Sequence, residues 1–296
     1  MINLAIFGSS FTYNGISSND YGVILCAAEQ PDSIPMGLTR EILKGEITSS
    51  RPVANHYNTK YSDVLTFDIT ITKPENRAFS REEVREINAW LTGPRIPTLL
   101  YFEDEAFDPI YYFGIFTDTN NTYGSGIIML TYTFTSNAPY GWSEERELVY
   151  NTNSVNGNGC KLVNDTDELN DFVYPLIKVK SPKGNRITFV NNSEIISDLI
   201  TPKFYFTFPD KIAITNDTIY IDSQKHIVYY IFNGNKYLLT LDSLGINMES
   251  LDDSKNGTLF MYWLRLVPGT NDISISSGLN STITFTYRCP RKVGAY

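Results

Sequence analysis

Cysteine is scarce in this 296-residue chain: Cys26, Cys160 and Cys289 stand far apart, and no Cys-x-x-Cys pair occurs. That excludes a disulfide framework and a thiolate zinc site. Histidine is scarcer still, with only His56 and His226. Neither falls in a His-x-x-x-His or His-Glu-x-x-His spacing, so both read as surface or structural residues. No Gly-x-Ser-x-Gly elbow marks a nucleophile, and no Gly-x-x-x-x-Gly-Lys-Ser/Thr loop could cradle a phosphate. Apolar runs long enough to cross a bilayer are missing, and Met1–Gly8 lacks the basic and apolar regions of a secretory signal. The expectation is a chain with no catalytic residues, no cofactor, no metal, no signal peptide and no membrane insertion.

Carboxylates do cluster, at Glu103-Asp104-Glu105 and Asp252-Asp253. Adjacent residues in a turn cannot place two carboxyls across a scissile bond as a glycosidase requires. Nor do they have the spacing of a calcium-binding EF-hand. Both read as solvated turns. The chain as a whole is acidic, with 24 Lys and Arg against 33 Asp and Glu, a net charge of −9 and a pI near 4.8. Such a surface repels nucleic-acid phosphates and anionic lipid, so no sequence-specific nucleic-acid partner is expected.

What the chain has in abundance is aromatic residues, 20 Tyr and 17 Phe, alongside Thr and Ile. That bias favours sheet over helix. Hydrophobic residues make up 42% and charged residues 19%, enough for a real core, and the length suits two domains. Leu65, Phe67, Ile69 and Ile71 alternate with polar residues, as do Ile128, Leu130, Tyr132 and Phe134, the period of a half-buried strand. Ser80-Arg81-Glu82-Glu83 is a capping box. Val84, Ile87 and Leu91 follow on one face with Trp90 beside them, and Gly93-Pro94 stops the turn, which predicts one helix over about 80–92. Trp90 is expected to anchor that helix on a sheet.

Residues 29–57 interrupt this order with Pro31, Pro35, Pro52 and weak periodicity. An excursion of that length is a loop or a protruding hairpin, and such insertions are usually functional or disordered. Past the middle, Pro139 and Gly141 in the segment Asn137–Ser143 end a strand and mark a joint, with Tyr140 and Trp142 beside them. Short strands then follow one another, among them Leu176–Lys180, Phe204–Phe208, Thr218–Asp222 and Thr282–Tyr287. Turns such as Pro182–Asn185 and Asn233-Gly234-Asn235 separate them. The fold class expected is mainly β, all-β with one helix. It comprises an N-terminal β-sandwich-like domain over 1–137 and an antiparallel β-sandwich or jelly roll over 138–296.

A strand closing on Asn-Ala-Pro-Tyr-Gly-Trp-Ser at mid-chain resembles the distal tail proteins (Dit) of long-tailed, non-contractile bacteriophages. Phe11–Ile16 with Asp20-Tyr21-Gly22-Val23, the helix ending in Trp90-Leu91 before Leu99–Phe102, and Leu266–Asn271 resemble the same family in order and spacing. One place departs: Met36-Gly37-Leu38-Thr39-Arg40 stands where many relatives carry a Gly-Arg-Asp-Gly-like turn. The resemblance implies a structural virion protein of the tail tip or baseplate hub. Its N-terminal domain would form a homohexameric ring and its C-terminal domain a galectin-like sandwich. Partners implied are the tail tube protein, the tape measure protein, a tail-associated lysin or fibre and a receptor-binding protein. The excursion would then reach a neighbouring subunit, with Met36, Leu38, Arg40, Ile42, Ile47, Arg51, Val53 and Asn55 as candidate interface residues. Trp90, Pro139, Tyr140, Gly141 and Trp142 are candidates for scaffold and joint.

Two other function classes stand beside that one. A sandwich rich in aromatics can stack on sugars, so a carbohydrate-binding module is the alternative, with Tyr229, Tyr230 and Tyr237 as candidate contacts. A tail polysaccharide hydrolase ranks last, because no acid–base pair is found.

Overall fold

Alternating apolar residues become strands almost wherever they occur. The computed structural model describes residues 10–26, 40–45, 56–103, 109–124, 126–152, 159–194, 203–208, 218–240, 242–244 and 262–292. They fold as two compact units, one running to Glu144 and regaining the chain at Pro290, the other spanning Glu145–Cys289. The first contains β1 (Ser10–Tyr13), β2 (Ile16–Ser17), β3 (Ile24–Cys26), β4 (Arg40–Lys44), β5 (His56–Tyr61) and β6 (Thr66–Thr72). After these come α1 (Arg81–Thr92), β7 (Thr98–Glu103), β8 (Tyr111–Tyr123), β9 (Ile127–Ser136) and β10 (Gly141–Trp142).

One antiparallel sheet in the order β2-β1-β7-β8-β9-β6-β3 forms this unit, and β1 and β3 touch, so the sheet curls. Its inner face carries Phe11, Tyr13, Ile69, Ile71, Leu100, Tyr112, Leu130, Tyr132 and Phe134, all buried. Helix α1 covers that face with Ile87, Trp90 and Leu91. Helix α1 and the curl of the sheet together enclose this core.

The expected capping box starts α1. Ser80 Oγ accepts the Glu83 N–H at 3.2 Å, and the Glu83 carboxylate accepts the Ser80 N–H at 2.7 Å. Glu83 also accepts from Lys73 Nζ, whose side chain is only 5% exposed. A buried cation without a partner is costly, so this contact ties β6 to the helix start. The Lys73 hydrogen bond first, and the Ser80 backbone second, hold the Glu83 carboxyl down at about 2.

The second unit contains β11 (Arg146–Asn151), β12 (Gly159–Asn164), β13 (Leu176–Lys180), β14 (Arg186–Asn191), β15 (Lys203–Thr207) and β16 (Thr218–Asp222). It continues with β17 (Ile227–Phe232), β18 (Asn235–Leu239), β19 (Gly269–Ser277) and β20 (Thr282–Tyr287). Sheets β11-β20-β13-β16-β17-β18 and β12-β19-β14-β15 supply one shared core. Ile177, Val179, Ile219, Ile221, Ile283 and Phe285 come from the first sheet. Ile187, Phe189, Phe204, Phe206, Ile273 and Ile275 come from the second. This is a β-sandwich. The Asn233-Gly234 turn joins β17 to β18 with both residues at positive φ, 49° and 77°, as a two-residue hairpin requires.

The Leu266–Asn271 motif has a clear structural task. Asn271 is fully buried. Its Oδ1 accepts the Val267 N–H at 2.9 Å and its Nδ2 donates to the Val267 carbonyl at 2.8 Å. Asn191 Nδ2 reaches the same Oδ1 at 2.8 Å. One amide thus closes the turn and ties it to β14.

Strand β21 (Pro290–Arg291) pairs with β10 in the first unit, Gly141 opposite Arg291 and Trp142 opposite Pro290. A chain ending at Cys289 is expected to lower the stability of the first unit by about 1–2 kcal/mol, leaving the second unchanged. Urea unfolding followed separately for each unit checks this. Folding lowers the Glu83 pKa from 4.5 to about 2, so the stabilisation is complete above about pH 4.5 and lost as pH falls toward 2. Glu83→Gln keeps the cap but drops the ion pair. Discounted for the partial exposure of Glu83, the loss is about 1 kcal/mol at pH 7, shrinking toward zero near pH 2. Urea titration of both proteins at the two pH values measures it.

Candidate assembly surface

Among the described residues, strands β4 and β5 form a sheet of their own, paired with each other from Arg40↔Tyr61 to Lys44↔His56. The sequence left this stretch open between loop and hairpin; the structure starts a strand at His56. All of β4 is exposed. Ile42 is 51% exposed and Tyr57 70%. A two-stranded ribbon is marginal in water on its own, and these side chains leave apolar surface open on it. The register puts Arg40, Ile42, Thr59 and Tyr61 on one face. Arg40 donates to Tyr61 Oη at 2.8 Å and lies 4.9 Å from the ring centre. Glu41 and Lys60 pair on the other face at 3.0 Å. Of the candidate interface residues, Arg40 and Ile42 lie here; Met36, Leu38, Ile47, Arg51, Val53 and Asn55 lie outside the described residues.

Trp90 is 5% exposed. Its ring stacks between Phe11 at 5.5 Å and Tyr21 at 4.6 Å, and its Nε1 donates to the Tyr13 carbonyl at 3.0 Å. The indole thus fixes α1 to β1 and to the turn after β2. At the segment read as a joint, Gly141–Trp142 form β10, with Trp142 opposite Tyr111 of β8. A Cβ on Gly141 would come within 2.3 Å of Ile110 and 2.9 Å of the Tyr112 ring, so only glycine fits. Tyr140 packs edge-on against Trp142 at 5.2 Å and Tyr61 at 6.0 Å, which links the joint to the foot of the hairpin.

The three tyrosines proposed for sugar stacking do not share a face. Residues alternate along β17, so Tyr229 and Tyr230 point oppositely. Tyr229 stacks on Tyr220 at 5.2 Å under Lys236 Nζ, 3.6 Å from its ring centre. Tyr230 packs against the core and stacks on Tyr237 at 5.2 Å. The set cannot act as one platform. His226, at φ 56°, stacks on Trp263 at 5.3 Å.

Glu103, read as part of a solvated tip, instead accepts hydrogen bonds from Ser10 and from Thr12 Oγ1, the latter at 2.6 Å. These bonds, Ser10 first, hold its carboxyl below the usual range. Asp104, Glu105, Asp252 and Asp253 lie outside the described residues. Sequence reasoning also missed the buried Glu194, which takes Tyr262 Oη at 2.6 Å and Arg265 Nε at 2.7 Å. No local spacing announces that cluster, because its members come from distant segments. Among the described residues no three His, Cys, Asp or Glu side chains gather as metal ligands, and no helix is long and apolar enough to cross a membrane.

Residues 7–138 match the family described as phage tail protein N-terminal domain, in agreement with the resemblance read from the sequence. Among solved structures, the chain is similar to the Dit protein of phage SPP1, described as a paradigm of the hub adsorption apparatus in phages infecting Gram-positive hosts. The TM-score is 0.59 at 14% identity, over 94% of this chain and 98% of that one. It is also similar to a chain of the phage p2 baseplate in its activated conformation, at a TM-score of 0.54 and 12% identity, over 96% and 99%. At these identities the likeness is one of fold. No curated protein matches.

Proposed function

We propose that this chain is a structural distal tail protein, a hub at the tip of a phage tail. The observation that carries this reading is the phage tail family match of the first half, together with a fold likeness that runs along nearly all of both chains. In this reading the first unit forms a ring, six copies by the resemblance, and the exposed β4–β5 hairpin supplies contacts between neighbours. Mechanism is then geometry. The ring adapts the tail tube to the lysin or fibre and to receptor-binding protein, while its channel passes the tape measure protein and then DNA. A net charge of −9 per chain suits a conduit that must not grip phosphate. The second unit would serve as the galectin-like domain of the hub. The working place is the virion tail tip, after assembly in the host cytoplasm.

The carbohydrate-binding reading loses its proposed platform with the separation of Tyr229 from Tyr230 and Tyr237.

The intact chain should form rings in solution, with a mass near six chains by light scattering and an open channel in negative-stain images. A strict monomer across the concentration range would overturn the ring and return glycan binding to first place.

A further inference from the structure

Between the C-terminal end of α1 and the β1–β2 turn, the first unit carries an open groove of about 500 Å³. That lies within the roughly 300–1,000 Å³ common for binding sites. Trp90 lines it with Ile16, Tyr21, Pro94 and Ile96, and Ile96 is 73% exposed. The last turn of the helix borders the same groove through Ala89 and Gly93. That turn has no basic residue, and Gly93 stays right-handed at φ −68°, so no left-handed cap covers the terminal carbonyls. The groove is lined mostly by apolar side chains, with Asn14 and Thr98 beside them, and has the negative end of a helix dipole at its rim. It suits an apolar side chain flanked by a cation.

The β4–β5 hairpin has that chemistry. Its described strand residues include Arg40, Lys44 and Lys60 against Glu41 alone, a basic ribbon in an acidic chain. Ile42 and Tyr57 project from it, with Arg40 on the Ile42 face. We infer that the hairpin of one copy seats Ile42 and Tyr57 in the α1–β2 groove of the next copy, with Arg40 toward the helix end. This rests on the ring reading and names the surface that receives the hairpin. The two patches differ, so the contact is heterologous, the kind that closes into a ring when the rotation per copy fits. It also gives a marginal two-stranded ribbon the third layer it lacks.

Complementation tests the pairing. Ile42→Asp alters the hairpin only and Ile96→Asp the groove only; both side chains are exposed, so folding is spared. Each variant alone should sediment as a monomer. An equimolar mixture should form a dimer and stop there, because one intact hairpin meets one intact groove. Wild-type rings that survive either substitution overturn the contact and leave the ring standing. Two monomeric variants that fail to dimerise when mixed over a concentration series overturn it as well. A wild-type chain that never assembles overturns the ring reading itself.

Discussion

The first unit depends on the double pairing of β9. Along its length it is bonded to β6 on one side, from Thr66↔Thr135 to Thr72↔Met129, and to β8 on the other, from Gly114↔Ser136 to Tyr123↔Ile127. A slip of one residue would turn Leu130, Tyr132 and Phe134 to water and bury Thr131, Thr133 and Thr135. The outer face resists the slip as well. Thr133 Oγ1 donates to Asp68 at 2.7 Å, and the Thr70 and Thr131 hydroxyls lie 2.9 Å apart. From the inner face, Tyr132 Oη donates to Asn88 at 2.7 Å and so fixes the helix that carries Trp90. The groove beside Trp90 and the anchored helix thus inherit their positions from one strand register.

Much of this was legible because it is local. Period-2 alternation marked β6 and β9, the Ser80–Glu83 spacing marked the start of α1, and Asn233-Gly234 marked a hairpin. The same period held the signal that separates Tyr229 from Tyr230, since neighbours on a strand face opposite ways. What stayed hidden is what only chain closure creates. Nothing near Pro290 says that it will pair with Trp142, nearly 150 residues earlier. Nothing near Glu103 says that Ser10 and Thr12 will meet it. The groove joins a helix end to a turn some seventy residues before it, and no spacing rule spans that distance.

Polar groups in the sandwich show a related division. Buried amides pay a desolvation cost that only full pairing offsets. Asn185 Nδ2 meets Ser181, Ser277 and Ser281 hydroxyls at 2.8–2.9 Å, and Asn271 closes the turn that leads into β19. Leu266–Asn271 was recognised from the sequence as a family mark. Its physical role is to satisfy the backbone of a turn that the core beneath it could not otherwise bury.

In the proposed assembly, surface stays unsatisfied until a partner arrives, and the build of the β4–β5 hairpin would tolerate that. Ile42 and Tyr57 are open, yet the opposite face carries the Glu41–Lys60 pair, which disfavours stacking of ribbon on ribbon. The register shift between Leu43 and Lys44 interrupts the ladder where an intruding strand would need it regular. Charge on three of the five β4 residues keeps the element soluble without filling its apolar face. In the proposed contact, a ribbon of this kind gains little from a second ribbon and more from a concave site at a helix end. The features that limit promiscuous pairing are thus the same ones that make a shaped groove the better partner.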